Sequence, residues 1–87
     1  MGSDKKARGA LWSRTYATWD TIGLGGHTRR GIVPTEYGFV RVWRFPGRTR
    51  YEVIVAGRFH SREEAVNRTD MGAVREARRF AAEVAHV

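Results

Sequence analysis

A chain of 87 residues with sixteen Lys/Arg, nine Asp/Glu and no cysteine carries a formal net charge of +7, which points to one small basic domain and excludes disulfides and thiolate metal sites. At this length only about 60–65% of the unfolded surface is buried, so stability is modest and dimerisation would add to it. No apolar run approaches the ~20 residues of a membrane span, and the polar start Met1-Gly-Ser-Asp-Lys-Lys-Ala-Arg8 lacks the apolar segment of a secretion signal, so a cytoplasmic location is expected.

Residues 1–8 are predicted to be a disordered basic tail, and residues 9–87 a single α+β domain. Ala10 to Ile22 is rich in aromatic and β-branched residues and predicts a strand or a broken pair of strands. Trp12 and Tyr16 share a parity that Trp19 does not, which implies a bulge or bend. Gly23-Leu-Gly-Gly26 breaks the pattern, and the polar stretch His27–Gly31 continues it as a loop. Ile32-Val33 before Pro34 predicts a short edge strand, because proline cannot donate to a central ladder.

Tyr37–Phe45 and Arg50–Phe59 predict an antiparallel hairpin across Pro46-Gly47. An even-numbered connection puts Val40 and Val42 with Tyr51, Val53 and Val55 on one face. It leaves Phe39, Arg41, Trp43 and Phe45 with Arg50, Glu52 and Ile54 on the other, where an Arg41–Glu52 pair and a Trp43–Arg50 cation–π contact are expected. A three-residue loop exchanges these partners and buries Trp43 with Tyr51 and Val53. Ser61-Arg-Glu-Glu64 matches a capping box and predicts a helix start, with a restart at Thr69-Asp70 after an interruption near Asn67. Val74, Ala77, Phe80, Ala81 and Val84 recur at three- and four-residue steps as an apolar stripe, and Arg75, Glu76, Arg78, Arg79 and Glu83 cover the solvent side. The expected fold is an antiparallel sheet of three or four strands packed on a C-terminal helix.

Charge is unevenly placed along the chain. Residues 1–60 hold eleven Lys/Arg against four Asp/Glu, whereas residues 61–87 hold five of each, and fourteen of the sixteen basic residues are Arg. Guanidinium forks pair bidentately with phosphate or guanine and stack on rings. Arg41, Trp43, Arg44, Arg48 and Arg50 near the hairpin turn, with Arg29 and Arg30 on the preceding loop, are therefore the candidate nucleic-acid-binding residues. Lys5, Lys6 and Arg8 reach adjacent phosphates in that reading, and Trp43 offers a stacking platform for an unpaired base. DNA is favoured over RNA. The competing expectation is a protein-interaction module, or a homodimer, anchored by exposed Trp12, Trp19 or Trp43.

Catalysis has little support in the chain. His27, His60 and His86 lack metal-ligand spacing. Gly23–Gly26 lacks the third glycine of a dinucleotide fingerprint, and Gly26–Gly31 is followed by Ile32-Val33 where a P-loop requires Lys and Ser/Thr. Nothing in the chain places Glu36 and Glu52 together as an acid/base pair. No enzymatic role, cofactor or metal is expected.

Successive strands followed by Gly57-Arg-Phe-His-Ser-Arg-Glu-Glu-Ala65 resemble the three-stranded sheet plus helix of the arm-type DNA-binding domains of tyrosine recombinases and of plant AP2-like domains. Phe59 and Ser61–Ala65 match the hydrophobic residue and Ser/Thr-x-x-Glu-Ala that lead the last strand into the helix there. The resemblance implies a sheet that lies in the major groove, and it covers roughly residues 37–87. The Arg-rich, Lys-poor, cysteine-free composition with several Trp also resembles small accessory proteins of phages of high-GC actinobacteria. That likeness implies a DNA-binding accessory or regulatory protein in the host cytoplasm, or a module that binds and modulates a host protein.

Overall fold

The computed structural model describes residues 17–22 and 28–87; the expected basic tail, Trp12 and His27 lie outside them. Five antiparallel strands run in sheet order, β1 (Thr18–Ile22), β2 (Thr28–Thr35), β3 (Gly38–Phe45), β4 (Arg48–Val55) and β5 (Arg58–Glu64), followed by one helix, α1 (Asp70–Ala85). The α+β class is as expected, with five strands in place of three or four. Thr28–Gly31, expected as loop, joins the short strand expected at Ile32-Val33 and extends β2 to eight residues. Its polar residues alternate between the two faces and pair with both β1 and β3. β2 is thus an inner strand, and Pro34 is tolerated because the described pairing with β1 ends at Ile32.

The additional strand is β5, and it corrects the expected helix start. Phe45 pairs with Arg48 across Pro46-Gly47, and Val55 pairs with Arg58 across Ala56-Gly57. In the second turn both residues have positive φ, 51° and 75°, as a type I′ hairpin turn requires. That turn sends the chain back along β4, so Ser61–Glu64 form the last strand and not a capping box. The helix begins only at Asp70, where Thr69 is the N-cap and its Oγ1 accepts from the Gly72 amide at 3.0 Å. The crossover is pinned to the sheet at two points. Thr49 Oγ1 donates to the Val66 carbonyl at 3.0 Å, and the Gly47 amide donates to Asn67 Oδ1 at 2.7 Å.

The two-residue turn settles the hairpin register in favour of the even-numbered connection. Val33, Val40, Val42, Tyr51 and Val53 are buried on one sheet face beneath Ala73, Val74, Ala77, Phe80 and Ala81 of α1. Three of the five sheet residues are valines of the hairpin, where branching at Cβ suits the pleat. The helix contributes alanines, which let it lie close to the strands, and Phe80, whose ring centroid is 6.2 Å from that of Tyr51. α1 covers this face only.

Candidate functional site

Among the described residues, no element covers the opposite face of the sheet. Strand register arranges its side chains in rows across the strands. Pro34, Phe39, Ile54 and Phe59 form the row nearest the β2–β3 and β4–β5 turns. Phe39, Ile54 and Phe59 are 67%, 64% and 60% exposed, and with Ile32, Arg41 and Glu52 they line a shallow hollow of about 590 Å³. Single exposed apolar side chains are ordinary, whereas three side by side on an uncovered sheet mark a contact surface.

Two further rows carry the charge. Thr18, Ile32, Arg41, Glu52 and Ser61 form one, and Asp20, Arg30, Trp43, Arg50 and Glu63 the next, each residue on its own strand from β1 to β5. Five of the seven candidate nucleic-acid-binding residues therefore share this face: Arg30, Arg41, Trp43, Arg48 and Arg50. Most of their cations are already paired. Arg30 meets Asp20 at 2.9 Å, Arg50 meets Glu52 at 2.9 Å and Glu63 at 3.6 Å, and Arg48 reaches Glu63 at 3.6 Å while lying 4.5 Å from the Phe45 ring centroid. Arg41 has no carboxylate partner among the described residues. Arg41 and Glu52 stand opposite one another as expected, but Glu52 bonds to Arg50 two residues along its own strand. Trp43 is half-buried opposite Arg50, whose guanidinium turns to the two glutamates.

The remaining two candidates fall on the helix side of the sheet. Arg29 and Arg44 converge on Asp70 at the start of α1, the first with Nη2–Oδ2 at 3.0 Å. Each guanidinium also lies 5.7 Å from the ring centroid of Trp19. This corrects the expectation that Trp19 is an exposed anchor, for it is half-buried against the core under two cations. A carboxylate at a helix N-terminus also favours the helix dipole, so Asp70 serves the dipole and both arginines at once.

Folding thus brings carboxylates of the C-terminal part against arginines of the β region. Glu63 and Asp70 belong to the neutral C-terminal part, yet they neutralise arginines of the β region. Glu64 does similar work inside. It accepts from the Tyr51 hydroxyl at 2.8 Å and from Arg68 at 2.7 and 3.1 Å. The Arg68 hydrogen bonds hold the Glu64 carboxyl below its ordinary range, and burial followed by the Glu64 hydrogen bond pushes the Tyr51 phenol up.

The two described histidines stay apart from this face. His60 points to the helix side of β5, and His86 Nε2 lies 3.0 Å from the Tyr37 hydroxyl at the helix end. Among the described residues, no group of three or more His, Cys, Asp and Glu is placed to hold a metal. Glu36 and Glu52 line different hollows. The apolar row was the part that residue-by-residue reasoning missed. Phe39 and Ile54 were on one face once the register was even, but Phe59 joins them only through the Ala56-Gly57 turn. Ser61–Ala65, which carried the resemblance to the arm-type domains, lie within and just after β5 instead of entering a helix. Comparison of the chain with protein-family models, with curated proteins and with solved structures found no match.

Proposed function

We propose that this protein is a protein-interaction module that docks through the open face of its sheet. The observation that carries the reading is the row of Phe39, Ile54 and Phe59, adjacent and each at least 60% exposed on a face that no described element covers. Fully burying side chains of this size is worth roughly 1.5–3 kcal/mol each before the costs of association are subtracted. Trp43 and Arg41 beside that row are the residue types that dominate interface energetics. Three carboxylates, Asp20, Glu52 and Glu63, are interleaved with the four arginines of the face, and each would oppose an incoming phosphate.

One observation favours DNA binding as a second reading: Arg30, Arg41, Trp43, Arg48 and Arg50 occupy that same face. Tagged chain and its Ile54→Lys variant, used as baits in nuclease-treated extract at about 1 M salt, separate the two. Docking through the apolar row predicts a partner that survives both treatments and is lost with Ile54→Lys. A phosphate-dominated complex loses affinity steeply with salt. Retention that vanishes with salt, or that Ile54→Lys leaves unchanged, refutes the docking reading.

A further inference from the structure

We propose that the occupant of the open face is a second copy of this chain, with the two sheets packed face to face. The two-fold axis lies between the sheets and runs across the strands. The inference rests on the docking reading and adds its partner.

The charge pattern selects this arrangement. Place the axis midway between the Arg41 row and the Trp43 row. Every strand then lies over its own counterpart in reverse, and each contact occurs twice, as in any isologous interface. On β4, Glu52 of each copy meets Arg50 of the other. On β3, Arg41 meets Trp43, a cation over an indole, and Phe39 meets Phe45. On β5, Ser61 meets Glu63, a hydroxyl facing a carboxylate. These pairings follow from the strand register alone. The alternative in-plane axis, along the strands, sets β1 over β5 and β2 over β4. It opposes Asp20 to Glu63 and Arg30 to Arg50, like charge against like on both sides of Trp43. The charges of the face are complementary about the first axis, which also sets Ile54 over Arg48 and Ile32 over Arg30, and repel about the second. Aligned sheets cross at about 30°, so the match is closest in these central rows.

Size sets the expected strength. Five strands ~4.8 Å apart, over four rows ~6.6 Å apart, present about 600 Å² per copy and ~1,200 Å² in all. That is the lower bound of a standard stable interface, so a reversible dimer whose population depends on concentration is expected.

Sedimentation velocity on the purified, nucleic-acid-free chain from about 5 to 500 µM tests the proposal. The expected result is a shift from one to two chain masses across that range that survives 500 mM salt. Glu52→Arg and Arg50→Glu should each weaken the dimer about tenfold or more, an equimolar mixture of the two single variants should recover most of it, and Phe39→Glu should abolish it. The mixture restores only the contacts between copies, the paired cations of one variant against the paired carboxylates of the other, while the Arg50–Glu52 pair within each chain stays broken, so recovery separates an intermolecular contact from damage to the fold. A wild type that stays monomeric at 500 µM overturns the proposal, as does a dimer indifferent to Phe39→Glu and to both single reversals. A monomer that still retains an Ile54-dependent partner overturns the second copy but leaves docking standing. A monomer that retains none overturns both.

Discussion

Gly31→Ala tests whether Trp19 is a packed lid of the core or an available anchor. Gly31 stands opposite Trp19 across the β1–β2 pair. A Cβ placed there falls 2.6, 2.7 and 2.8 Å from three indole carbons, against an ordinary carbon–carbon contact of about 3.5–4.0 Å. The ring has little room to withdraw. Arg29 and Arg44 lie over it, each 5.7 Å from its centroid, and Asp70 holds both. Overpacking of this kind costs about 1–3 kcal/mol, and each cation–π contact weakened by the displaced ring adds roughly 0.5–1 kcal/mol. Alanine returns about 0.5 kcal/mol of strand preference. The net is about 1.5–4.5 kcal/mol, centred near 3, which at ~4–8 °C per kcal/mol for a domain of this size lowers Tm by roughly 12–24 °C. Thermal unfolding followed by circular dichroism measures it, and Trp19→Leu supplies the control. With the indole gone, adding Gly31→Ala should cost far less than it does in the wild type. A single variant that melts within about 2 °C of wild type, or an undiminished effect without the indole, refutes the packing argument.

Three further outcomes are expected. Tyr51→Phe removes a donor to a carboxylate that keeps Arg68, so urea unfolding should show a loss of about 1–2 kcal/mol. Glu64 has a lower pKa folded than unfolded. Its stabilising effect is therefore complete above the unfolded value of about 4.3 and is lost as pH falls through the lower folded value. Unfolding free energy measured from pH 7 down to 2 should decline over that acid window, and Glu64→Gln should flatten the decline; an unchanged acid profile in the variant contradicts the assignment. Ala56 holds φ 51°, where glycine is at ease and alanine is strained, so Ala56→Gly should raise stability by roughly 0.5–1 kcal/mol in the same urea assay.

The hairpin was legible because its signals agree. Val40, Val42, Tyr51, Val53 and Val55 alternate, so the two strands were clear, but which faces they share depends on the loop length, and only the pairing of Phe45 with Arg48 across Pro46-Gly47 decides it. The stripe of α1 was legible for the same reason at helical period. Ser61-Arg-Glu-Glu64 misled because a capping pattern needs only local residues, whereas strand pairing with β4 is decided by the turn before it. Ala56-Gly57 is a weak turn signal, since alanine rarely takes positive φ. Most of the arginine partners were invisible for another reason. Arg29 and Arg44 meet Asp70 from 41 and 26 residues away, and no local pattern announces such pairs. Trp19 looked like an anchor until β2 proved long enough to lie beside it.

Oxidative footprinting of the assembled chain addresses the central claim most directly. Phe39 and Phe59 on the open face and Met71 on α1 are all exposed in the single chain, at 67%, 60% and 55%, so one experiment reads both sides of the molecule. Labelling should fall several-fold at Phe39 and Phe59 as the protein is taken from dilute to concentrated solution, while Met71 stays reactive. Protection of Met71 with Phe39 and Phe59 unchanged would place the contact on the helix and contradict the account.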